Sequence, residues 1–223
     1  MTTPITQLTV LSLLPNATVE DGSSEPGRIW ASALETIALQ PGHRHTYWGR
    51  QIEDSSILHL HIDWSDISAH RAFLDSQTYK SFSAALSSVL AKPPTIRHAN
   101  LAPHPLASIF SKKDSPVTEL VTFYLPSPLS ATTQADFDST IAAFSAHLTA
   151  KAEGSTANAG GWVVEELDHA EVGRVRAYLA AYGWTSVDAH MKYRETKDFL
   201  ETIVWVREKI VKGEMYHVVF EDV

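Results

Sequence analysis

The 223-residue chain is written twice. The stretches "ILHLHIDWSDISAH" (57–70) and "VRAYLAAYGWTSVDAH" (175–190) align at an offset of 120, which pairs Trp64 with Trp184, Ala69 with Ala189 and His70 with His190. Upstream, with one position of slippage, Gly42 in "LQPGHRHTYWG" falls on Gly161 in "ANAGGWVVEEL". The run "LTVLSLL" (8–14) likewise resembles "LVTFYLP" (120–126). A repeat of this length means one supersecondary unit used twice, each copy helping to bury the other.

Each half reads β-α-β-β-α-β. In the first, Leu8–Leu14 is a strand and a helix starts near Pro26, with Trp30, Leu34, Ile37 and Ala38 as its apolar stripe. Strands His45–Ile52 and Ile57–Trp64 form a hairpin around "EDSS", and a helical stretch runs on from Ser68 through Phe82 and Leu86. Thr95–Leu101 closes the unit. In the second half Phe137, Ile141, Phe144 and Leu148 form the helical stripe, "AEGSTANAGG" reads as a flexible loop, and Tyr216–Glu221 reads as the last strand. The expected fold is α+β: two ferredoxin-like repeats packed sheet to sheet as an intramolecular dimeric α/β barrel. The first repeat spans 5–101 and the second 117–221, with the proline-punctuated segment 102–116 as linker.

Composition narrows the function classes. With 44% apolar residues the chain can bury a core, and the absence of cysteine removes thiolate chemistry and cysteine-held metals. A formal net charge of −8 with scattered basic residues speaks against nucleic acid as a partner. No apolar run reaches membrane-span length, and Leu8–Leu14 lacks the basic flank and cleavage site of a signal peptide, so a cytoplasmic location is expected. The tandem predicts a monomer with a pseudo-dimeric barrel, or a homo-oligomer of such chains.

Alternation in 57–64 puts Leu58, Leu60, Ile62 and Trp64 on one strand face and His59, His61 and Asp63 on the other. Two histidines two apart on a strand could hold a metal. The second copy, however, has Leu179, Ala181 and Gly183 there, and no third ligand is placed by spacing. These histidines are therefore expected to be hydrogen-bonded at the contact between repeats, with no metal. His70 and His190 each fall in the first turn of a helix, capped by Asp66 or Ser65 and by Thr185 or Ser186, and read as packing and capping residues.

The segment "YWGRQIEDSSILHLHIDWSDISAHRAFLDSQTYKSF" (47–82) resembles antibiotic-biosynthesis monooxygenase domains and their dimeric α/β-barrel relatives, particularly tandem fungal proteins. The shared features are "YWG" opening the hairpin, a strand ending in "DW", an "S-x-x-A-H" helix start and an aromatic-bearing helix. The resemblance implies a pocket between sheet and helices, faced by Leu58, Leu60, Ile62 and Trp64 in one half and by Tyr178, Ala180, Tyr182 and Trp184 in the other. It also implies small-molecule chemistry. Polyketide cyclases of this fold use a Tyr/His pair at positions that fall here on Phe73 and Tyr79, or on Tyr193 and Phe199, so neither half keeps that pair. The first-strand Asn of haem-degrading relatives is missing from "LTVLSLL".

The residues themselves offer an aromatic wall suited to an apolar aromatic small molecule. Trp64, Phe73, Tyr79 and Phe82 supply it in one half, and Tyr178, Tyr182, Trp184, Tyr193 and Trp205 in the other, beside the Leu60 and Ile62 that the resemblance turns to the pocket. Tyr193, Tyr182, Tyr178 and Tyr79 are the candidate catalytic phenols, with His45 or His98 as an assisting base. The primary expectation is cofactor-independent oxygenation of an aromatic polyketide-like or phenolic substrate. The alternatives are a redox-neutral cyclase or pericyclic catalyst, and a non-catalytic ligand-binding barrel. The second copy, richer in phenols and in small residues (Ala177, Ala180, Ala181), is favoured as the site.

Overall fold

The computed structural model describes residues 3–223, which form two compact units. One consists of the chain up to Ala99 together with Glu221–Val223, the other of Asn100–Phe220.

The first unit runs β1 (Ile5–Ser12), α1 (Glu25–Ala38), β2 (His43–Arg50), β3 (Ile57–Trp64), α2 (Ile67–Leu74), α3 (Gln77–Ser87) and β4 (Thr95–Ala99). The second begins with the short α4 (Ala107–Phe110) and continues through β5 (Val117–Pro126), α5 (Ala131–Lys151), β6 (Ser155–Trp162), β7 (Leu167–His169), β8 (Gly173–Trp184), α6 (Val187–Arg194), α7 (Lys197–Arg207) and β9 (Lys212–Val218). A last strand, β10 (Glu221–Asp222), pairs with β2 in the first unit, whose sheet order is β10-β2-β3-β1-β4. The second sheet is ordered β6-β8-β5-β9, with β7 also on β8. Both sheets are antiparallel and five-stranded, and each unit is an α+β, ferredoxin-like repeat.

Short polar caps start the six longer helices. Ser24, Asp66, Ser76, Ser130, Ser186 and Thr196 each accept a backbone N–H two or three residues on. Of the proposed alternatives, Asp66 and Ser186 are the caps. The stretch from Ser68 is two helices, because Ser76 restarts the ladder after Leu74. The helical stripes and the inward strand faces then build one core per unit. Trp30, Ile37, Leu58, Ile62 and Trp64 lie in the first, and Phe137, Ile141, Phe144, Leu148 and Trp184 in the second. Burying each such side chain contributes about 1.5–3 kcal/mol.

Three expectations change. The segment read as a flexible loop contains β6, held by the ladder Gly160 to Ala180, Gly161 to Leu179 and Trp162 to Tyr178. Pairing with β8 compensates for the weak strand preference of glycine. The last long strand is β9 at Lys212–Val218, and Glu221 belongs to β10. Gly42 corresponds to Gly154, not Gly161. Both adopt left-handed φ (84° and 86°), and their carbonyls accept the Ser65 and Thr185 N–H groups at 2.7 and 2.8 Å. The offset between repeats is 112 at the first strand, where Ile5 opposes Trp64 and Val117 opposes Trp184, and 120 at those tryptophans. The β6–β8 hairpin therefore carries eight extra residues, which displaced the alignment.

Candidate active site

In each repeat the inward face of the first strand meets the tryptophan that ends the third. Gln7 lies on β1 between Ile5 and Thr9, and its Oε1 accepts the Trp64 indole N–H at 3.0 Å. On β5 the equivalent is Glu119, whose Oε2 accepts the Trp184 N–H at 3.0 Å. The indoles stack on His70 and His190, with centroids 5.4 and 4.8 Å apart. Those histidines in turn engage the strand at the sheet edge: His70 Nδ1 is 2.8 Å from His98 Nε2, and His190 Nδ1 is 2.7 Å from His217 Nε2. All eight side chains are buried.

The Gln-to-Glu difference changes what this arrangement can do. His190 Nε2 lies 3.3 Å from Glu119 Oε2, so a continuous chain runs from the carboxylate through His190 to His217. With Glu119 ionised, His190 presents Nε2–H to it, and its Nδ1 accepts from His217. Burial pushes the Glu119 carboxyl up to about 7, against the pull of the Trp184 hydrogen bond and the Arg194 charge. In the first repeat Gln7 cannot ionise, and its amide donates to Thr9 Oγ1 at 2.8 Å.

Glu119 opens into a pocket of about 340 Å³ between the sheet and helices α5, α6 and α7. Its apolar walls are Val121, Phe123, Phe144, Phe199, Ile203 and Met215, and Tyr182, His190 and Arg194 add polar atoms. This volume falls within the ~300–1,000 Å³ typical of ligand sites. The equivalent cavity of the first repeat holds about 90 Å³. A larger trough of about 810 Å³ between α1 and α3 is an open surface groove lined mainly by polar helix residues such as Arg28, Ser32, Thr36 and Gln77.

The candidate residues separate by position. Tyr182 lines the second pocket; its hydroxyl is 2.9 Å from Ser145 Oγ, and burial drives its pKa far upward. Tyr79, Phe73, Phe82, Leu60 and Ile62 line the small first-repeat cavity. Trp64 and Trp184 do not line either cavity: they are buried beneath them, fixing Gln7 and Glu119. Tyr193 is turned away from the pocket and donates to Asp198 Oδ2 at 3.2 Å, and burial and Asp198 push it up to about 12. Tyr178 packs against Phe137 and Trp162, and burial raises it to about 12. Trp205 is 42% exposed on α7 near His147 and lines neither cavity. His98 pairs with His70, and His45 packs at a tilt against Tyr47 and lines neither cavity.

His70 and His190 are therefore more than packing residues, since each joins its tryptophan to a second histidine. His59 and His61 are buried with rings 6.1 Å apart, and Asp63 accepts from Thr6 Oγ1 at 2.7 Å. Among the described residues no group of three or more acidic or histidine side chains is arranged to hold a metal. No helix among them is long and apolar enough to cross a membrane.

Sequence reasoning missed Glu119, Ser145 and Arg194. A signal for Glu119 was present: on the face Val117, Glu119, Val121, Phe123, Leu125 it is the one ionisable residue among apolar ones.

Residues 18–85, in the first repeat, match the family described as antibiotic biosynthesis monooxygenase. No curated protein matches the chain. Among solved structures, an anthrone oxidase-like protein is similar over 99% of this chain and 93% of its own, with TM-score 0.65 and 14% identity. A candidate monooxygenase from Lactobacillus acidophilus NCFM is similar over 98% and 94%, with TM-score 0.61 and 11% identity. Another, from Fusobacterium nucleatum subsp. nucleatum ATCC 25586, is similar over 99% and 94%, with TM-score 0.59 and 11% identity. At these identities the likeness is one of fold, and it extends over both repeats.

Proposed function

We propose that the second-repeat pocket oxygenates an apolar aromatic substrate with an acidic C–H or O–H, of anthrone or phenol type, using dioxygen and the chain's own base. The observation that carries this reading is Glu119, a buried carboxyl near pKa 7 on the floor of an apolar pocket. A general base is most effective when its pKa lies near the working pH. Among the described residues the contacts to Glu119, from Trp184 and His190, fall on Oε2, so in this reading Oε1 serves the ligand.

Glu119 takes the proton, and the delocalised anion that results gives an electron to dioxygen. The radical pair joins to form a C–O bond. The peroxide then takes back the Glu119 proton as its O–O bond breaks, the second C–H hydrogen is lost, and the carbon becomes a carbonyl. An Ar₂CH₂ group plus O₂ thus yields Ar₂C=O plus water, with no outside reductant. Tyr182, whose hydroxyl pairs with Ser145, would hydrogen-bond the developing oxyanion in this reading. Two supports come from relatives: the family matched by the first repeat, and the substrate class in the name of the anthrone oxidase-like neighbour.

The test is anthrone incubated with purified protein in air and under nitrogen, analysed by mass spectrometry. Conversion to anthraquinone above the uncatalysed rate, absent under nitrogen and in Glu119→Gln, is the expected result. An isomer of unchanged mass formed equally without oxygen, from a cyclisable substrate, would replace the oxygenase reading with a cyclase. No turnover of either kind would leave a binding barrel.

A further inference from the structure

We propose that the substrate carries an ionised carboxylate, which Arg194 and Arg207 receive at the mouth of the second-repeat pocket. This rests on the reading above that the pocket is where substrate reacts. The first repeat acts as an internal control. At the offset of 120, Arg194 corresponds to Leu74 and Arg207 to Ser87, so the repeat with the ~90 Å³ cavity and Gln7 lacks both cations. The enlarged pocket, the ionisable floor residue and the two guanidinium groups occur together in one copy.

Both arginines line the pocket. Among the described residues neither has a carboxylate within salt-bridge distance: Arg194 lies over the Phe199 ring at 6.0 Å, with a 4.0 Å contact to Met191 Sδ as its hydrogen bond. The third cation at the rim, Lys212, is already held by Glu171 at 2.6 Å and Glu214 at 3.4 Å. In a chain of net charge −8, two uncommitted guanidinium groups at one pocket mouth form a local positive field that draws in an anion. Guanidinium matches the planar, two-oxygen geometry of a carboxylate. The aromatic body would then lie against the wall formed by Phe144, Phe199 and Ile203, towards Glu119. The arrangement also has a chemical consequence. Arg194 now acts on Glu119 to favour its charged form. A bound carboxylate offsets that charge and makes Glu119 a stronger base when substrate is present.

The experiment measures binding of anthraquinone-2-carboxylate and anthraquinone-2-carboxamide to the whole protein by calorimetry. The carboxylate is expected to bind at least about tenfold more tightly, as a charge-assisted contact at a partly exposed site allows. That preference should fall with added salt and disappear in an Arg194→Gln/Arg207→Gln variant that still binds the carboxamide. Equal affinities, a preference that survives in the variant, or no binding of either compound would overturn the proposal. The readout needs no turnover. Carboxylate preference with no oxygen uptake on anthrone would sink the oxygenase reading alone, whereas oxidation of neutral anthrone with equal affinities would sink this inference alone.

Discussion

Gln7 and Glu119 occupy the same place in two copies of one fold, each accepting the indole N–H of a buried tryptophan at 3.0 Å. One atom pair distinguishes them: an amide nitrogen in the first repeat, a second carboxyl oxygen in the other. The scaffold of tryptophan and paired histidines is common to both, while ionisable chemistry belongs to the second.

Glu119→Gln should therefore fold, because the first repeat already uses glutamine against its tryptophan. Turnover should drop about 10²–10⁴-fold, the usual contribution of a general base. Oxygen uptake beside a thermal melt checks this; a folded variant with full activity would remove Glu119 from the mechanism.

The same substitution should change how stability depends on pH. The Glu119 carboxyl sits near 7 when folded, above its ordinary 4.5, so the folded state holds a proton that the unfolded state has released. Stability must fall as pH rises from about 4.5 to 7, by about 3 kcal/mol in total. Urea unfolding at pH 5 and pH 8 should show Glu119→Gln gaining on the parent protein at the higher pH.

His59 acts in the opposite direction. Burial holds its imidazole down at about 4, so the unfolded chain takes up the proton first, and stability is lost as pH falls from about 6.5 towards 4. His59→Leu, which installs the residue found at the equivalent Leu179, should flatten this acid limb in unfolding curves between pH 7 and 4. An unchanged limb would assign acid sensitivity elsewhere, with the likewise depressed His61 next in line.

The paired histidines offer a contrast between repeats. His98→Phe and His217→Phe each take a hydrogen-bond partner from a buried imidazole and should each cost about 1–3 kcal/mol. Only His217→Phe should lower kcat and shift the pH–rate profile, since His190 lies 3.3 Å from the Glu119 carboxyl, at the place where the first repeat has the Gln7 amide. Equal kinetic effects from both variants would argue against a relay in the second repeat.

Gly154→Ala tests the repeat register. A Cβ there would lie 2.6 Å from Thr185 Oγ1 and 2.9 Å from Ala189 Cβ, on backbone with φ of 86°. A loss of about 1–3 kcal/mol is expected. Gly42→Ala should behave alike, with Ala69 Cβ at 2.6 Å. A neutral effect at both would mean that the turn relaxes freely.

What the sequence determined by itself was the number of copies, the order of elements and the faces they bury. Alternation in Ile57–Trp64, the stripe of Phe137, Ile141, Phe144 and Leu148, and the helix caps act over a few residues, so short-range pattern suffices to read them. The tertiary structure decided the rest. Glu119 comes to lie beside Trp184 and His190 only because β5 pairs with β8 and α6 folds back over their inward face. Periodicity states that Tyr178, Tyr182, Tyr193 and Trp205 occupy particular faces, but not which cavity, if any, a face meets. An insertion of eight residues in one hairpin was enough to move a glycine onto the wrong partner. Burial is a property of a pattern along the chain, whereas an active site is a set of distances between elements, and those are set by packing.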